Sequence, residues 1–177
     1  MSILKVNTIQ DKGGNTIISS DGSGTITPNG FGKIGQVVST FKDDTFGTSS
    51  TSLVDVTGLS VTITPTSTSS KILIMLCGGM APGTSGHNVM LSLLRGSTEI
   101  GQSTGGSTSN SFIFTNQAAN SDVATFGSHF LDSPSTTSAI TYKVQMASTS
   151  GTSYIGRRAD TDARRMSSSI TAWEILA

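Results

Sequence analysis

The chain has 177 residues, enough for one domain of ordinary size and a short extension. Its 11 Lys and Arg balance 11 Asp and Glu, and no basic stripe runs along it, which argues against nucleic-acid binding through a basic surface. The single cysteine, Cys77, excludes an intrachain disulfide and a cysteine-based metal cluster.

No stretch approaches the length of a membrane span, and the opening Met1–Val6 lacks the charged and apolar regions of a secretory signal. Synthesis in a cytoplasm without membrane insertion is therefore expected. Ser and Thr together number 56, and Gly adds 20. Thr is itself a strand former, and β-branched and aromatic residues recur at strand spacing. The composition therefore reads as a hydroxyl-coated all-β protein.

Residues 1–30 form an arm. Short strands at Ile3–Ile9, Thr16–Ser19 and Thr25–Thr27 are separated by turns rich in Gly, Asn and Asp, which supply positive φ. Such short strands carry too few apolar side chains for a core. Leu4, Val6 and Ile9 are the candidate attachment residues, needing a partner surface from the main domain, a sister copy or another protein.

The main domain, residues 31–177, opens with the strand Gly35–Phe41. A Ser/Thr-rich loop, Thr45–Ser52, leads to Leu53–Val56 and to Leu59–Thr64, where Leu59, Val61 and Ile63 share a face. Lys71–Cys77 is apolar on both faces and therefore central, with Cys77 expected as a small buried hydrophobe. A glycine-rich loop, Gly78–Gly86, precedes Asn88–Leu94, which makes a hairpin with Glu99–Gln102.

After an exposed loop, Ser103–Ser111, come the strands Ser111–Thr115 and Val123–Leu131. Ile140–Met146 alternates cleanly, with Ile140, Tyr142, Val144 and Met146 on its apolar side. Tyr154–Gly156 and a charged loop lead to the last strand. No window shows helical spacing. About eight to ten strands joined by polar turns fit a two-sheet antiparallel sandwich.

The terminal stretch Ser167–Ala177 holds the only Trp. Thr171, Trp173 and Ile175 point one way, and Ile170, Ala172 and Leu176 the other, interrupted by Glu174. A half-buried strand would alternate apolar with polar, and this one does not. One side can pack in its own sandwich; the other can meet the same strand in neighbouring copies. Ile170, Trp173 and Ile175 are the candidate subunit-contact residues.

Several segments resemble virion proteins of tailed phages, particularly marine and cyanobacterial ones. They are Leu4–Asp11 with Gly-Gly close behind, Thr64–Leu73, Leu94–Thr98, Leu131–Ser138 with Thr141–Gln145, and the ending Ser169–Thr171 with Glu174–Ile175. The resemblance implies a homotrimeric jelly-roll head of the tumour-necrosis-factor-like kind behind a short attachment arm. Such heads occur at tail-fibre tips, where they contact a host cell-surface receptor, and among capsid decorations. The arm would bind another virion protein, and the protein would reside in the virion. The chain departs from the usual fibre in having no long shaft repeat.

Chemistry has little to stand on. His87 and His129 are near no nucleophile or metal signature, and no paired-carboxylate motif is present. A jelly-roll carbohydrate-active enzyme is thus the weaker alternative, and no catalytic residue, metal ligand or cofactor is expected. Asp160-Thr-Asp162 lacks the glycine and distal Glu of a calcium loop. Arg157, Arg158, Arg164 and Arg165 flank it. The loop reads either as a self-neutralising surface or as a subunit or partner contact built on Arg–carboxylate pairs.

Overall fold

The computed structural model describes residues 6–20, 22, 26–28, 33–106 and 110–176. Among them there is no helix, and every strand pair of assigned register is antiparallel. The chain separates into two units, Met1–Lys33 and Ile34–Ala177.

The first unit is a three-stranded meander of β1 (Thr8–Gln10), β2 (Thr16–Ser20) and β3 (Ile26–Pro28), in that order. The Asp11 carboxylate closes the first turn by accepting from the Gly13 and Asn15 amides at 2.8 and 2.9 Å. Gly14 supplies the positive φ that this turn needs. Val6, Ile9 and Ile17 are all exposed. Leu4 lies outside the described residues.

The second unit is a sandwich of two sheets. One holds β6 (Val54–Ile63), β8 (Asn88–Arg95), β9 (Thr98–Ile100), β10 (Ile113–Asn116) and β12 (Ile140–Ser148), with the order β10-β8-β12-β6 and β9 also on β8. The other holds β4 (Lys33–Lys42), β5 (Phe46–Thr48), β7 (Lys71–Ala81), β11 (Ala124–Asp132), β13 (Ser153–Ile155) and β14 (Ser168–Leu176). Its order is β4-β14-β7-β13-β5, and β11 takes the opposite edge of β7.

The core lies between the sheets. The expected apolar face of β12, from Ile140 to Met146, is buried there against Val56, Leu59, Val61 and Ile63 of β6 and Ile72, Ile74 and Leu76 of β7. A polar tie crosses it. Asp132, on β11, accepts from Arg95 at 3.0 Å and from the Tyr142 hydroxyl at 2.7 Å, both on the facing sheet. Burial, the larger influence, and that hydrogen bond push the Tyr142 hydroxyl well above its ordinary pKa, so it stays a donor.

Four sequence expectations are corrected. The two strands expected at 53–56 and 59–64 are one, β6, which absorbs a register shift opposite Lys143 and Gln145 with Gly58 at φ 79°. The Ser/Thr-rich stretch 45–52 contains β5, paired with β13. The glycine-rich loop begins later than Gly78, because β7 continues to Ala81; a side chain at Gly78 or Gly79 would strike Ser168, Phe126, Met166 or Val123. Cys77 is exposed, since β7 turns its odd-numbered side chains away from the core.

Candidate functional site

The two sheets present different outer surfaces. On the five-stranded sheet the outer face is polar along β6 and β12, while Phe114 of β10, 63% exposed, stands on it beside Met90 of β8. Thr62 and Thr141 share a hydrogen bond of 2.8 Å, and Asp55 accepts from Lys143 and Gln145 at 2.8 and 2.7 Å. Those two donors, Lys143 first, hold the Asp55 carboxyl below its ordinary value.

The outer face of the six-stranded sheet is apolar and nearly uncharged. Strand register lays it out in rows. Leu131, Leu73 and Trp173 form one; His129, Met75 and Thr171 the next; Gly127, Cys77 and Ser169 a third. β4 extends the face. Gln36 meets Glu174 and Ser39 meets Thr171 at 2.8 Å each, so β4 runs antiparallel to β14 and places Val37 and Phe41 on the same surface. Val37 is 48% exposed, Phe41 67%, and Met75 and Leu131 47% each. Exposed large apolar side chains grouped on one sheet face make it the candidate interaction surface.

A groove of about 380 Å³ indents this face between β11 and β14. Met75 and Cys77 form its floor, Gly127 and His129 one wall, Thr171 and Trp173 the other. It exists because Gly127 projects no side chain, and a Cβ there would meet nothing within 4 Å. The Cys77 thiol lies 3.1 Å from the Ser169 hydroxyl. The Trp173 indole N–H is buried and finds no acceptor among the described residues. A buried donor without a partner costs about 1–3 kcal/mol.

Of the three subunit-contact candidates, Trp173 and Ile175 stand on this face, partly exposed. Ile170 does not. It is fully enclosed in the chain's own core, because β14 points Ile170, Ala172 and Glu174 inward. From there it cannot reach another copy.

Glu174 is the inward surprise. Its carboxylate accepts from Gln36 at 2.8 Å, from the Thr66 amide at 2.7 Å and from the Thr66 hydroxyl at 2.8 Å. Burial, the largest single influence, pushes its pKa up, but the hydrogen bonds led by Gln36 and the Thr66 amide outweigh it, and the carboxyl is held below its ordinary range.

The charged loop closes on itself. Arg157 and Arg165 form a backbone bridge. Asp162 pairs with Arg165 at 2.6 Å and with Arg157 at 3.2 Å, while Asp160 pairs with Arg158 at 2.6 Å. These partners, Arg165 first, lower the pKa of Asp162. The Arg157 guanidinium also stacks 3.9 Å from the Tyr154 ring centre. Arg164 makes no ion pair with a described residue and is exposed. Both carboxylates are thus engaged within the loop.

His129 stands at the groove, and His87 is exposed in the loop after β7. Among the described residues no three His, Cys, Asp or Glu side chains converge as a metal site requires. Among the described residues no helix is long and apolar enough to cross a membrane. Neither a protein-family model nor a curated protein matches the chain. Sequence reasoning missed the groove and the exposure of Phe41, though the two-sided apolar character of β7 and β14 was a signal for the face that holds them.

Proposed function

We propose that the chain is a structural protein of a phage particle, a homotrimeric jelly-roll head that contacts the host receptor at a tail fibre and is held by its N-terminal arm. The observation that carries the reading is the contrast between the two outer faces. One is hydroxylated and ion-paired along β6 and β12, with Phe114 and Met90 its apolar exceptions toward β10. The other is largely apolar and carries no Lys, Arg, Asp or Glu along its three central rows, so it is suited to burial between copies. The strand order β4-β14-β7-β11 facing β6-β12-β8-β10 supports a jelly-roll path. The particle assignment rests on the segments that resemble tailed-phage virion proteins.

Light scattering on the purified chain tests assembly, with about three times the 18.2 kDa chain mass expected. A monomer at all concentrations would remove the trimer. Electron microscopy of labelled virions tests the place, with label expected at the tail. Label spread over the capsid would make the protein a decoration instead. The proposed role involves no catalysis, and reproducible release of reducing sugar from host polysaccharide would contradict it.

A further inference from the structure

The apolar face carries both a protrusion and a hole. Phe41 is the most exposed large apolar side chain among the described residues. The antiparallel β4–β14 pairing, with Ser39 on Thr171, sets Phe41 beside Ser169, in the row of Cys77 and Gly127. The groove opens in that same row, above Cys77 and Gly127.

We propose that Phe41 of one copy seats in the Gly127–Cys77 groove of the next, and that this contact sets the geometry of the assembly. The inference rests on the reading that this face lies between copies. Three features commit the groove to a second copy. Its walls carry no carboxylate, Lys or Arg, so its occupant is an uncharged apolar group. The chain displays such a group on the same surface. A protrusion and a hole at different places on one face fit a second copy, either reciprocally about a two-fold axis that passes between them or head to tail. The head-to-tail form, when it closes, makes the ring that a trimer requires.

The only cysteine makes the test direct. Phe41 and Cys77 of one chain lie two strands apart, roughly 10 Å across the sheet. That exceeds the roughly 7 Å limit between Cα atoms for a disulfide. Phe41→Cys can therefore bond Cys77 only in another copy. Under mild oxidation with oxidised glutathione, which is reduced as the two thiols join, the variant should give multimers resistant to detergent and sensitive to reductant. Adding Cys77→Ser should abolish them.

Gly127→Leu gives an independent reading, since its side chain enters the groove from a Cβ that meets no atom of its own chain within 4 Å. It should cut the assembled fraction at least ten-fold while leaving the circular dichroism of the chain unchanged. A wild type that assembles, with no Cys77-dependent cross-link from Phe41→Cys and normal assembly of Gly127→Leu, overturns this contact and leaves the oligomer standing. Cross-links that persist with Cys77→Ser join the two introduced thiols to each other and also overturn it. A monomeric wild type overturns the oligomer itself.

Discussion

Glu174 inverts the usual meaning of a charge in a strand. It is fully buried, yet its hydrogen bonds hold the ionised form against the cost of desolvation. Because its folded pKa lies below the unfolded value, its contribution is complete above about pH 4.3 and is lost as pH falls through the folded value. Glu174→Gln removes the charge and turns an amide donor toward the Thr66 or Gln36 donors. It should cost about 1–3 kcal/mol at neutral pH. In urea titrations the wild-type midpoint should fall more steeply below about pH 4 than the variant's; parallel pH profiles would show that the carboxylate contributes no such linkage. Tyr142→Phe probes the second buried carboxylate by leaving Asp132 with Arg95 alone. A loss of about 1–3 kcal/mol in urea unfolding is expected, and an unchanged midpoint would show that this tie does not hold the sheets.

At the scale of the element, β14 explains what could and could not be read from sequence. Period-two spacing separated Thr171, Trp173 and Ile175 from Ile170 and Ala172, and the structure keeps those sets apart. Spacing cannot say which set faces the core when both are apolar, because the polar half of the pattern is missing. Glu174 pointed the wrong way, since its partners Gln36 and Thr66 are 138 and 108 residues distant in sequence. The same ambiguity put Cys77 inside when β7 turns it out. The β12 strand alternates, and its buried face was legible in full. The strand β5 was hidden because Phe46-Gly-Thr48 is short and set in a Ser/Thr-rich stretch. Two truncations on β14 should therefore act differently. Ile170→Ala should cost the chain about 2–5 kcal/mol in unfolding at dilute concentration. Trp173→Ala should cost the single chain less and weaken assembly more, as sedimentation would measure. Equal effects of both substitutions on assembly would refute the division of β14 into a core face and a contact face.

The two units of the chain differ in how much apolar side chain their described residues bury. Among the described residues every buried member of the hydrophobic core lies at Val56 or beyond, and the partly buried residues packed against it begin at Val38. The meander of β1, β2 and β3 has the reverse character, with Val6, Ile9 and Ile17 exposed and strands of only three, five and three residues. Three strands so short gain stability chiefly by packing on another surface, and an exposed short strand is well suited to joining a neighbouring sheet. Deleting residues 2–27 should therefore leave the thermal midpoint and assembled mass of the head unchanged, while the truncated protein is lost from purified particles. Substitutions in the 82–87 loop, which carry no core residue, should leave incorporation intact and reduce adsorption to host cells if this end reads a receptor. Normal incorporation of the deleted protein would show that the sandwich is its own anchor. A large drop in midpoint would show that the meander supports the head, and the proposed attachment role of Val6 and Ile9 would then fall.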